Sequence, residues 1–170
     1  ALPDFAVDWQ RLADAITPRT RLIFINSPHN PSGALLSRDD LDQLAALIRG
    51  RDIHVTSDEV YEHLIFDGAR HASVLAHEEL YARAFVVSSF GKTYHVTGWK
   101  TGYVVAPPAL TAELRKIHQY VNFCGVTPLQ HALADFMASN PEHVEELPAF
   151  YQAKRDLFCD LLAGSRFRFT

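Results

Sequence analysis

Six polar residues stand out by type and spacing: Asn30, Asp58, Tyr61, Ser89, Lys92 and Lys100. Together they offer an amide, a carboxylate, a phenol, a hydroxyl and two amines, enough to hold an anion and to run nucleophilic or acid–base chemistry. Asn30 to Asp58 is 28 residues, Asp58 to Tyr61 three, Asp58 to Lys92 34, and Lys92 to Lys100 eight. Each residue alone has a plainer reading. Asn30-Pro31 is ordinary turn chemistry, Asp58 could cap a helix, and a single lysine is normally solvated. Gly91-Lys92-Thr93 looks like the end of a phosphate-binding loop, but that motif needs glycine at position 86, which is Val86. The dinucleotide fingerprint is also missing, because none of the eight glycines has the required spacing.

The elements that must position these groups follow from the apolar pattern. Residues 21–25 form a short apolar run that predicts a buried strand, followed by Asn26-Ser27-Pro28-His29-Asn30-Pro31-Ser32-Gly33, a loop dense in turn formers. Ser37 caps the next helix, with Asp40 three residues on, Leu41, Leu44, Ala45 and Ile48 at helical spacing, and Gly50 at its end. Residues 53–57 predict the second strand, 84–88 a third and 101–106 a fourth. Strand, helix and strand with short links make a βαβ unit, hence a parallel pair. Helices are expected over 108–122, 127–139 and 141–163, with Pro148 kinking or restarting the last. Asn30, Asp58, Ser89 and Lys92 all come just after strands, so they converge on the crevice where open parallel sheets bind ligands.

The segments Asn30-Pro31-Ser32-Gly33, Ser57-Asp58-Glu59-Val60-Tyr61, Ser89-Phe90-Gly91-Lys92 and Thr97-Gly98-Trp99-Lys100-Thr101-Gly102-Tyr103, in this order and at these intervals, resemble the class I/II aminotransferases of pyridoxal-phosphate (PLP) fold type I. The resemblance runs from about residue 21 to the end, through His118-Gln119-Tyr120 and Thr127-Pro128-Leu129-Gln130, and is nearest to the methionine and kynurenine branch. It implies an α/β fold, with a mostly parallel sheet flanked by helices as part of a PLP-binding large domain. Residues 1–140 would belong to that domain, and 141–170 would open a smaller α+β C-terminal domain. It also implies that Lys92 carries PLP as a Schiff base and moves the substrate proton once freed. Asp58 would keep the pyridine nitrogen protonated, Tyr61 and Asn30 would meet the phenolic oxygen, and Ser89 and Lys100 would hold the phosphate. Many relatives have Arg at position 100; Lys is a point charge without the bidentate fork. The ring-stacking aromatic and the substrate-carboxylate Arg are expected outside this sequence, since Arg166 and Arg168 come too early.

Composition narrows the class. The net charge of −4 shows no basic stripe, which argues against a nucleic-acid partner. No apolar stretch approaches the roughly 18 residues that cross a bilayer. Cys124 and Cys159 read as free, buried thiols of a reducing, cytoplasmic compartment. The nine histidines show no metal spacing; His29 and His95 are candidates to line the cleft, and Tyr120 and Phe123 read as core or cleft wall. The charges of residues 141–163 read as a solvated helix face. The chain starts on Ala1 and ends on the alternating Arg166-Phe167-Arg168-Phe169-Thr170, which reads as a strand, so an interior piece of a longer protein is expected. The expected activity is transamination between an amino acid and a 2-oxo acid, in a homodimer implied by the resemblance. A PLP-dependent C–S (β) lyase and the ligand-sensing domain of a transcription regulator stay open as alternatives.

Overall fold

Apolar alternation in three short runs builds the sheet on which everything else is placed. In the computed structural model, which describes residues 5–169, the strands are β1 (Leu22–Asn26), β2 (His54–Asp58), β3 (Ala84–Ser89) and β4 (Gly102–Val105). They lie in the order β1-β2-β3-β4. The first three are parallel and β4 runs antiparallel to β3, so the sheet is mostly parallel, as expected, with a reversed edge. The reversal follows from the connection: helix α4 (Phe90–Thr93) and a 3₁₀ turn (Thr97–Trp99) double back at the end where β3 stops. That reversal needs two close approaches. A Cβ on Gly91 would meet Thr97 Cα at 2.9 Å, and one on Gly102 would meet Ser88 O at 2.6 Å.

Helices α1 (Trp9–Ala15), α2 (Arg38–Ile48) and α3 (Glu78–Tyr81) precede that point. The α2 boundaries are those its sequence dictates. Ser37 Oγ accepts from Asp40 N at 3.1 Å, Asp40 Oδ2 accepts from Ser37 N at 2.8 Å, and Gly50 sits at φ +71° past the last turn. Trp9 ties α1 on through a 3.0 Å bond from Nε1 to Asp40 Oδ1. Leu41, Leu44, Ala45 and Ile48 pack on Ile23, Val55 and Val86 with Ile53, Val74, Leu80 and Ala84. Each large side chain so buried stabilises the fold by about 1.5–3 kcal/mol. This core covers one face of the sheet. On the other face Leu22 and Phe24 remain 53% and 64% exposed among the described residues.

Helices α5 (Pro108–Val121), α6 (Thr127–Ser139) and α7 (His143–Leu162) complete the chain. Several expectations need correction. Helix α7 does not restart at Pro148; it runs through, giving up only the N–H that would have met the Val144 carbonyl. Residues 165–169 form a bend and extended chain, not a strand, because no described strand lies beside them to pair with. Both cysteines are free, but Cys124 is exposed and Cys159 half-buried. Tyr120 and Phe123 are 86% and 76% exposed, since no described element packs over that side of α5. Arg155 is not simply solvated: its guanidinium forks onto Asp67 at 2.5 and 2.7 Å and lies 5.2 Å from the Phe66 ring centroid. None of the helices is long and apolar enough to cross a membrane, among the described residues.

Candidate active site

Strands β1, β2 and β3 end nearly level, with Asn26 paired to Asp58 and Asp58 to Val87. Asp58 and Ser89 are the last strand residues rather than the first loop residues, which fixes their side chains on one face by strand alternation. That is the face the core leaves uncovered. Asp58 Oδ1 accepts from Val60 N at 3.1 Å, which starts the turn that carries Tyr61. No cation pairs with Asp58 among the described residues.

A residue that the sequence reading passed over, Asn26, organises the β1 side. Its Nδ2 donates to the Asp58 carbonyl at 2.9 Å, and its Oδ1 accepts from Asn30 N at 2.9 Å. Asn26 thereby holds the Asn30 loop against the end of β2. A polar residue ending an apolar run was the available signal. The peptides Ser27–Pro28 and Asn30–Pro31 are cis. Asn30 Nδ2 reaches Tyr61 Oη at 3.5 Å, a weak bond, and Lys92 Nζ lies 5.9 Å from the Tyr61 ring centroid. Asn30, Tyr61 and Lys92 are thus brought together. Asn30 and Tyr61 line a cleft of about 490 Å³ with His29, Leu35, Phe66 and Arg155.

Ser89 ends β3 as the cap of α4: its Oγ accepts from Gly91 N at 3.0 Å and donates to Thr101 O at 3.4 Å. Lys92 lies in that single helical turn. Helix α7 braces it from outside, with His143 Nε2 donating to Thr93 O at 2.7 Å and Tyr151 Oη 3.1 Å from His95 Nδ1. His95 therefore packs against α7, not into the cleft, whereas His29 does line it. Lys100 stands apart from the Tyr61 group. It lines a second cleft of about 620 Å³ with Phe90, Trp99 and Tyr103. Its backbone is left-handed, φ +54°, which costs a non-glycine residue on the order of 1 kcal/mol.

Two carboxylates that the sequence reading left unassigned lie on the opposite, covered face. Glu59 is 1% exposed. It accepts from Ser57 Oγ at 2.9 Å, from Val74 N at 3.0 Å and from His71 Nε2 at 2.7 Å. Burial pushes its carboxyl up, but the His71 bond and the Val74 amide outweigh this and hold it below its ordinary value. Glu62 Oε1 accepts from Ser88 Oγ at 2.9 Å and from Tyr103 Oη at 3.1 Å. Glu59, Glu62 and His71 each place one ligand-type atom within 4.8 Å of the others. Both Glu59 oxygens and Glu62 Oε1 are engaged by these donors, which ties β2, β3 and β4 together at this end of the sheet.

The four lysines separate cleanly. Lys116 pairs with Glu113 at 2.6 Å and Lys154 lies on the Phe150 ring at 4.5 Å, while Lys92 and Lys100 have no carboxylate partner among the described residues. The groups without a partner of opposite charge among the described residues are therefore Lys92, Lys100 and Asp58, and the Tyr61 phenol is held by one weak bond. Such groups could meet a ligand that carries both an anionic and a proton-bearing group.

A sheet of parallel strands with ligand-type groups at their carboxyl ends defines an α/β domain of the small-molecule-binding kind. The chain belongs to the aminotransferase class I and II family, whose pattern matches residues 1–170. It is 53% identical over 164 residues to the methionine aminotransferase of Escherichia coli (strain K12), covering 96% of this chain and 42% of that protein. It is 36% identical over 160 residues to the kynurenine–oxoglutarate transaminase of Dictyostelium discoideum, covering 92% of this chain and 37% of the relative. Among solved structures, an Escherichia coli protein with a methionine aminotransferase function superposes with a TM-score of 0.94 at 52% identity, over 98% of this chain and 44% of the other. The N-succinyldiaminopimelate aminotransferase of Mycobacterium tuberculosis gives 0.87 at 39% identity, over 93% and 41%. The chain thus spans about two-fifths of the relatives it matches.

Proposed function

We propose that the protein containing this chain is a PLP-dependent aminotransferase, passing the amino group of an amino acid to a 2-oxo acid. The observation that carries this reading is the family match over residues 1–170, with Lys92, Lys100 and Asp58 lacking a partner of opposite charge among the described residues. PLP, when bound, supplies an aldehyde that takes up amines and a ring that accepts electrons. Lys92 is the amine that attaches it and, once released, moves the proton at the substrate Cα. Asp58, fixed by the end of β2 and the Val60 N–H, keeps the ring nitrogen protonated. The Asp58 charge would thus matter mainly in the transition state. Tyr61 and Asn30 hydrogen-bond the phenolic oxygen, and Ser89 and Lys100 hold the phosphate.

Residues 1–140 form part of the cofactor-binding domain and 141–170 lead into a smaller one. The exposed Leu157, Phe158 and Leu161 near the end of α7 support the latter, as an apolar face awaiting cover. A homodimer fits the exposed Ile117, Tyr120, Val121 and Phe123 of α5 and its loop, and the two free thiols suit a cytoplasmic setting.

The test mixes the full-length protein with PLP, single amino acids and a 2-oxo acid acceptor, starting with methionine and kynurenine because relatives carry those names. Appearance of the acceptor's amino acid, dependent on added 2-oxo acid, is expected. Pyruvate and ammonia released without any acceptor would instead mark a C–S lyase, and no conversion of any amino acid would mark a sensor.

A further inference from the structure

Tyr61 is poorly held from the front. Its one side-chain hydrogen bond within the described residues is the 3.5 Å contact from Asn30. The position of its hydroxyl is therefore set by the backbone of its turn, and that turn is fastened from behind. Glu62, the next residue, sends its carboxylate across to the β3–β4 pair. There one oxygen accepts from both Ser88 Oγ and Tyr103 Oη. Ser88 and Tyr103 are register partners, and the next pair along the ladder is Ser89 with Gly102. The Glu62 backbone N–H is held in turn by the Glu59 carbonyl at 2.9 Å. Glu62 thus joins the turn bearing Tyr61 to the strands leading into Lys92 and out of Lys100. Burial pushes the Tyr103 phenol up, so it remains a protonated donor. The other titratable groups near the Glu62 carboxylate are His63, at 3.8 Å, and the Glu59–His71 pair.

We infer that Glu62 is a positioning residue, its carboxylate setting the distance between the Tyr61 hydroxyl and the cofactor oxygen it serves by locking the Tyr61 turn to Ser88 and Tyr103. This rests on the proposed role of Tyr61. A hydrogen bond to an oxyanion favours its ionised form, so loosening Tyr61 raises the pH at which the bound cofactor changes its visible absorption.

The experiment titrates that absorption in full-length holoenzyme, beside melting temperature. Glu62→Ala is expected to raise the midpoint by about half a unit to one unit, the scale of one hydrogen bond lost. Tyr61→Phe should shift it the same way, and the double variant should add little to Tyr61→Phe. Glu62→Gln keeps an acceptor oxygen for both donors and should restore the wild-type midpoint. Should Glu62→Ala fail to fold, the pair Ser88→Ala and Tyr103→Phe removes both donors and should give the same rise. A wild-type midpoint in Glu62→Ala or in the donor-deleted variant, with only the melting temperature lowered, overturns the inference. A wild-type midpoint in Tyr61→Phe itself shows instead that the reading of Tyr61 is wrong, and the inference falls with it.

Discussion

The two faces at the carboxyl end of the sheet are built differently. On the uncovered face, Asp58 has no charged partner among the described residues, and Asn30 reaches Tyr61 only at 3.5 Å. On the covered face, a few ångströms away, Glu59 and Glu62 accept five hydrogen bonds between 2.7 and 3.1 Å. Four of the participants are consecutive in the chain or nearly so: Asp58 and Tyr61 face the crevice, Glu59 is buried in the core, and the half-buried Glu62 reaches back to Ser88 and Tyr103. Strand and turn alternation sends successive side chains to opposite sides, so one short segment both presents groups to the crevice and anchors itself. Polar groups left open cost little at a solvated crevice, whereas the same groups buried need every bond made. On the back both carboxylates are hydrogen-bonded, although His71 Nδ1 is buried without a partner among the described residues.

The sharpest way to break this contrast is on the back face. Glu59→Ala strands His71, Ser57 and the Val74 amide, and should destabilise the protein by about 3–5 kcal/mol, read from urea unfolding. Because the folded-state carboxyl of Glu59 lies below its ordinary 4.5, its contribution is present above that pH and is lost as pH falls through the folded value. Wild type should therefore lose stability on acidification below about 4.5, and Glu59→Gln should flatten that part of the curve. A Glu59→Ala variant as stable as wild type would show that the back face is not the anchor.

At Lys100, in the second cleft, the expected effects fall on ligand affinity. Lys100 is exposed, so Lys100→Ala should weaken PLP binding by about 1.5–3 kcal/mol, the scale of a hydrogen bond to a charged group, and Lys100→Arg should be mild. Lys100→Gly sharpens the point, because it relieves the left-handed backbone at φ +54°. It should gain about 1 kcal/mol of apo-protein stability while losing cofactor as Lys100→Ala does. Equal PLP affinity in wild type and Lys100→Ala, by equilibrium dialysis, would remove Lys100 from the phosphate site.

Much of this was legible in the sequence where local rules act alone. The Ser37–Asp40 capping box, the helical spacing of Leu41, Leu44, Ala45 and Ile48, and the three parallel strands came out within a residue or so of their expected places. Strand order predicted that Asn30 and Lys92 come to the same end of the sheet, whereas Tyr61 beside them was expected only from the family resemblance. Other features depend on contacts between distant segments, which spacing does not encode. Asn26 gains its role only because Asp58 lies beside it in register. Glu59 and Glu62 look like any acidic pair until His71, Ser88 and Tyr103 arrive from elsewhere. Arg155 reads as helix surface until the Asp67 turn meets it. The strand expected over the last residues needed a neighbour to pair with, and alternation alone could not supply one.

The central claim is that the open front face is a cofactor site with Lys92 as its attachment point. Borohydride reduction of full-length holoenzyme, followed by peptide mass spectrometry, tests it most directly. A pyridoxyl group on the peptide containing Lys92 is the predicted result. The same group on Lys100, Lys116 or Lys154, with Lys92 unmodified, would contradict the account.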